Sequence, residues 1–130
     1  MTFMLILLLH TASQRYSSKK SGGVKEISSK AELKKITKKN RDKLIVVDFF
    51  LTYCPPCQRI APVYESLAAE NPNVVFLKVN GQQGGELARS YGVRGYPTFV
   101  FLKGSRTLDT KPGANEWTLR QAIKDYAGSD

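Results

Sequence analysis

The chain predicts an α/β domain in which a central mixed β-sheet is flanked by helices on both faces. Three observations carry this expectation. Leu44–Phe50 is a near-continuous apolar run rich in β-branched residues, the pattern of a strand covered on both faces. Runs of this kind alternate with stretches of helical period in the order βαβαβαββα, which builds a sheet with helices on its two sides. The strongest strand then runs straight into Tyr53-Cys54-Pro55-Pro56-Cys57, which opens one of the helical stretches.

Each element has its own signal. Val24–Ile27 reads as a short edge strand. Ser29-Lys30-Ala31-Glu32 fits a capping box and opens a helix to about Lys39, with Ala31, Leu33 and Ile36 inward and Lys34, Lys35, Lys38 and Lys39 on the wet face. Pro56 to about Glu70 has Ile60, Val63, Tyr64 and Leu67 at helical spacing; Pro62 inside it is expected to kink it. Val74–Val79 is the next strand, and Glu86–Tyr91 a short helix after Gly84-Gly85. Thr98–Leu102 and Thr107–Lys111 flank Lys103-Gly104-Ser105-Arg106, a hairpin-like turn. Glu116–Tyr126 closes the domain as an amphipathic helix carrying Trp117, Leu119, Ile123 and Tyr126.

The 130 residues fit one domain. The formal charge of +9 is uneven: residues 1–43 hold eleven Lys/Arg against three acids, and residues 44–130 hold nine against eight. The basic character thus belongs to the N-terminal third. That stretch lacks interleaved aromatics, so it reads as a solvated face and no nucleic-acid partner is expected. Residues 1–23 read as an N-terminal extension and 24–130 as the domain. Phe3–Leu9 is too short to span a bilayer. With Thr11-Ala12-Ser13 it could form a secretory leader, and the acid-free Arg/Ser-flavoured stretch around Arg15 could be organellar. The leading expectation is a cytoplasmic monomer with no membrane span.

Cys54 and Cys57 are the only cysteines. Two do not make a disulfide-rich scaffold. The sole histidine is His10, so a four-ligand zinc site is not expected. A C-x-x-C between a strand and a helix is the pattern of a thiol–disulfide redox site. Free N–H groups and partial positive charge at a helix start favour the thiolate, which is the nucleophile. The second thiol, one turn on, can attack the resulting mixed disulfide.

From Val24 to about Ala127 the chain resembles the thioredoxin family. The family pattern V-D-F-x-A-x-W-C-G-P-C-K-x-I-A-P appears as Val47 to Pro62. K-x-[DN] appears as Lys78-Val79-Asn80, the G-[VI]-x-[GS]-x-P-T loop as Gly92 to Thr98, and the late G-A as Gly113-Ala114. The resemblance implies a thioredoxin fold and a protein-disulfide reductase that needs no cofactor. Its substrates would be disulfide-containing proteins. Its electron donor would be a thioredoxin reductase or the glutathione/glutaredoxin system.

By this resemblance Cys54 is the attacking nucleophile and Cys57 the buried resolving thiol. Asp48 lies beneath the pair and takes the Cys57 proton through water; burial should raise its pKa. Lys78 shares its pocket. Pro97 is a cis-proline opposite the cysteines, with the Tyr96 backbone presented to a substrate strand. Gly95 and Gly113 leave a flat rim, and Tyr53 forms an apolar lid. Pro55-Pro56 stands where the family usually has Gly-Pro; Pro55 stiffens the loop and removes an N–H. Neither position holds the histidine that stabilises the thiolate in disulfide isomerases and strong oxidants. Two other readings remain: a disulfide isomerase or oxidase of a secretory compartment, and a non-catalytic thioredoxin-fold binding module.

Overall fold

A computed structural model describes residues 23–128. Residues 1–22 of the expected extension over residues 1–23, and the last two residues, lie outside the described part. The elements are β1 (Val24–Glu26), α1 (Lys30–Lys39), β2 (Leu44–Phe50), α2 (Pro55–Glu70), β3 (Val75–Asn80), α3 (Gly85–Ser90), β4 (Thr98–Lys103), β5 (Arg106–Pro112) and α4 (Glu116–Ala127). The expected order holds, with boundaries displaced by one residue at several ends.

The five strands form one mixed sheet in the order β1-β3-β2-β4-β5. β1 and β2 run parallel to β3, while β4 is antiparallel to β2 and to β5. β2 therefore has a partner on each edge and a helix layer on each face. Its first six residues are buried, which is why its sequence shows no polar alternation.

Alternate residues of β2 enter two separate cores. Ile45, Val47 and Phe49 pack with Leu33 of α1 and Leu87 of α3. Leu44 and Val46 pack with Ile60, Tyr64 and Leu67 of α2 and with Leu119 and Ile123 of α4. Each fully buried Leu, Ile or Phe contributes about 1.5–3 kcal/mol relative to exposure. Asp48, at the next even position, points into the α2 layer and is buried.

The Ser29–Glu32 capping box forms as the sequence predicts: Glu32 N–H donates to Ser29 Oγ at 3.1 Å, and Ser29 N–H to Glu32 Oε1 at 3.2 Å. Lys34, Lys35, Lys38 and Lys39 of α1 are exposed, but Ala31 is exposed as well, and Thr37 is buried in its place. Leu33, Ile36, Thr37 and Asn40 share one helical face, and Ala31 lies two residues, about 200°, away from Leu33. Trp117 departs in the same way. It is 71% exposed, and Leu119, Ala122 and Ile123 form the buried stripe of α4. α2 runs unbroken through Pro62, which is exposed.

Candidate active site

The site begins where β2 ends. Leu51 to Tyr53 carry the chain out of the sheet, and Cys54 becomes the N-cap of α2. Pro55 and Pro56 occupy the first helical positions, where a fixed φ suits the helix and a missing N–H breaks no intrahelical bond. Their placement has an electrostatic consequence. Two of the first-turn donors are absent, and the Cys57 N–H points at Cys54 Sγ from 3.3 Å. Gln58 N–H makes the first intrahelical bond, to Cys54 C=O at 2.9 Å. Stabilisation of a Cys54 thiolate by this helix end thus rests on one N–H and on the helix dipole.

Cys54 and Cys57 are joined as a disulfide with their Cα atoms 5.2 Å apart. The resemblance implies a more exposed Cys54, and the two differ only slightly, at 8% and 5%. Opposite them the Tyr96–Pro97 peptide is cis, as the resemblance implies. The Tyr96 carbonyl oxygen lies 3.6 Å from Cys54 Sγ; the bonded sulfur carries no proton, so this is a contact rather than a hydrogen bond. Thr98 Oγ1 donates to Gly95 C=O at 2.7 Å, and Gly113 N–H donates to Pro97 C=O at 2.9 Å. These two bonds tie Gly95 and Gly113 to the proline segment. Gly113 has φ +94°, which favours glycine. A Cβ on Gly95 or Gly113 would meet nothing within 4 Å, so both border open space. Tyr53, at 87% exposure, projects into solvent next to Cys54 instead of covering it as the expected lid.

Beneath the disulfide, Asp48 is 5% exposed. Its Oδ1 accepts no hydrogen bond among the described residues. Burial pushes its pKa from an ordinary 3.8 to about 7, and the charge of Lys78 only partly opposes this. A cavity of about 210 Å³ reaches Asp48 and is lined also by Cys57, Lys78 and Gln58. It joins the carboxyl to the resolving sulfur and has room for water.

Two features of this region were not legible in the sequence. Helical spacing placed Tyr64 in the core, but its hydroxyl reaches two sheet carbonyls, Leu77 at 2.7 Å and Val46 at 3.0 Å. A single phenolic proton serves both acceptors, and burial raises its pKa well above the usual tyrosine value. Thr52 is the second. Its carbonyl accepts from Gln58 Nε2 at 3.0 Å and its hydroxyl from Asn80 Nδ2 at 3.3 Å, so it braces the loop that delivers Cys54. A lone threonine in a loop gives no sequence signal for this. Among the described residues no helix is long and apolar enough to cross a membrane.

Comparisons with known proteins agree with this geometry. The family model described as thioredoxin matches residues 24–125. The thioredoxin of Geodia cydonium is 42% identical over 99 residues, covering 75% of this chain and 93% of its own length. The X-ray structure of Fasciola hepatica thioredoxin superposes with a TM-score of 0.76 at 44% identity, over 78% of this chain and 97% of that one. A solved complex of ferredoxin:thioredoxin reductase with thioredoxin f2 holds a chain 33% identical to this one, with a TM-score of 0.76, over 81% of this chain and 96% of that one. The match also extends into longer proteins. The chain is 36% identical over 104 residues to the peptide-N(4)-(N-acetyl-beta-glucosaminyl)asparagine amidase of Caenorhabditis elegans, and spans 17% of its length. With a model match over most of its length and a disulfide at the head of α2, the chain belongs to the thioredoxin family and is a thiol–disulfide oxidoreductase of the protein-disulfide reductase type.

Proposed function

We propose that the chain reduces disulfides of other proteins, with Cys54 as attacking thiolate, Cys57 as resolving thiol and Asp48 as the proton acceptor for Cys57. The observation that carries this reading is the seat of Cys54: N-cap of α2, 3.3 Å from the Cys57 N–H and 3.6 Å from the Tyr96 carbonyl. In the reduced protein, Cys54 S⁻ attacks one sulfur of the substrate disulfide. An S–S bond forms, the substrate S–S bond breaks, and one substrate thiolate leaves. Cys57 then loses its proton through water to Asp48, and its thiolate attacks Cys54 Sγ. The Cys54–Cys57 bond closes and the second substrate thiolate is released. Two electrons have passed to the substrate.

A base for the second step must be neutral enough to exist unpaired in an apolar wall and still accept a proton near pH 7. Asp48, raised to about 7 and joined to Cys57 by the cavity, meets both conditions. Gly95, Tyr96 and Gly113 supply the open ledge on which a substrate strand can rest, with Pro97 buried behind it. Re-reduction needs a donor of two electrons: a thioredoxin reductase, or glutathione with glutaredoxin. This work suits a reducing compartment, and we place the protein in the cytoplasm on that ground. The isomerase and binding-module readings are less well supported, since no histidine lies between the cysteines and both cysteines are present.

The test is a pair of variants assayed on insulin with dithiothreitol as donor. Cys54→Ser should lose turnover entirely. Cys57→Ser, reduced and then mixed with insulin after removal of free dithiothreitol, should accumulate a mixed disulfide, visible by mass on a non-reducing gel. Normal turnover by Cys57→Ser would overturn the assignment of roles.

A further inference from the structure

We infer that the rim of the active site selects disulfides flanked by acidic residues. This rests on the reductase reading above and names its substrate class.

Three segments surround Cys54: residues 51–62, residues 92–98 and residues 113–116. The first two carry one charged side chain each, Arg59 and Arg94. The third carries Glu116, whose carboxylate is held by Arg120 Nε at 2.8 Å. Arg59 and Arg94 are both exposed, and neither makes a hydrogen bond or ion pair among the described residues. Every other polar group on the rim segments is neutral. These three segments therefore present two uncompensated guanidinium groups and no free carboxylate; the exposed Glu65, further along α2, lines the cavity beside Cys57 together with Lys78, which is of opposite charge.

Both arginines belong to segments that meet at the reacting sulfur. Arg59 lies five residues beyond Cys54, about 7 Å along the axis of α2. Arg94 lies two residues before Tyr96, at most about 7 Å of chain from the carbonyl that touches Cys54 Sγ. Both side chains thus leave the backbone about a Debye length or less from the disulfide under attack. Guanidinium forks suit carboxylates, and unpaired ones need not break an existing pair to bind. At about 10 Å in a water-like medium each cation–carboxylate pair is worth about a two-fold gain in association. A substrate with two nearby carboxylates gains about five- to ten-fold once partial screening is included.

The experiment compares two cyclic cystine peptides that differ only in flanking residues, Glu on both sides or Gln on both sides. The full chain is assayed with dithiothreitol. At about 0.01 M ionic strength kcat/KM for the Glu peptide should exceed that for the Gln peptide about five-fold, and at about 1 M the ratio should approach one. The ratio should collapse to about one in Arg59→Gln/Arg94→Gln and survive in Arg59→Lys/Arg94→Lys, which keeps the charges. A ratio of one in the wild-type chain at low salt, or a preference that persists in the Gln double variant, would overturn the inference. Failure to reduce the Gln peptide at all would instead overturn the reductase reading.

Discussion

Asp48 and Lys78 are register partners on β2 and β3, yet they make no ion pair: the lysine amine lies over the ring of Phe50, 5.6 Å from its centroid. The carboxyl is left with one oxygen unpartnered in an apolar wall. Closing the pair would bring the lysine charge against the carboxylate and lower its pKa. The open arrangement keeps the acid near neutrality.

Stability should therefore fall as pH rises. Asp48 has its pKa raised from 3.8 unfolded to about 7 folded. Below pH 4 both states hold the proton and burial of the carboxyl carries no ionic penalty. Between pH 4 and 7 the unfolded chain releases it first, so stability drops, and above pH 7 the full penalty of about 4 kcal/mol stands. Asp48→Asn should remove this slope and stabilise the oxidised protein at pH 8 by about 1–3 kcal/mol. Urea melts at pH 5 and pH 8 check it; an unchanged slope in the variant would refute the assignment.

The same substitution should slow chemistry at one step. Stopped-flow decay of the mixed disulfide should show an apparent pKa near 7 in the wild type. Asp48→Asn should lose that inflection and resolve about 100-fold more slowly, at the low end of what removal of a general base costs. The first attack, by Cys54, should change little. Equal slowing of both steps would assign Asp48 to structure alone.

Redox poise follows from the residues between the cysteines. Pro55 and Pro56 supply no N–H, and no histidine stands by to stabilise a Cys54 thiolate. A poorly stabilised thiolate makes the reduced form the stronger reductant. Equilibration with glutathione should give a potential nearer about −270 mV than about −180 mV.

Removal of residues 1–22 should leave the domain folded and active. Among the described residues the sheet, both cores and every site residue lie between Val24 and Ala127, and residues 1–22 carry only Arg15, Lys19 and Lys20 as charged side chains. The truncated chain should reduce a small neutral disulfide at the rate of the full chain, with the same urea midpoint. Loss of folding would show that Phe3–Leu9 belongs to the core.

The fold was legible because its strongest element leaves little choice. A seven-residue apolar strand must be covered on both faces, and the helices on either side follow from it. The redox pair and the cis-proline loop were legible from four separated motifs. Side-chain direction was less so. Ala31 is apolar but too small to define a helix face, whereas Thr37 is polar but buries its methyl group and returns its hydroxyl to Lys34 C=O at 3.0 Å. Trp117 follows the apolar count of α4 but not its buried stripe. The separation of Lys78 from Asp48 depends on the position of the Phe50 ring, which only the packed structure supplies.

The disulfide at the head of α2 uses both thiols the chain has. Oxidised, the chain offers no thiol for alkylation or for covalent pairing with a second copy; reduced, it offers two. The count of alkyl groups taken up by intact protein therefore reports its oxidation state directly, as zero or two, and a value of one identifies a chain still covalently attached to something else.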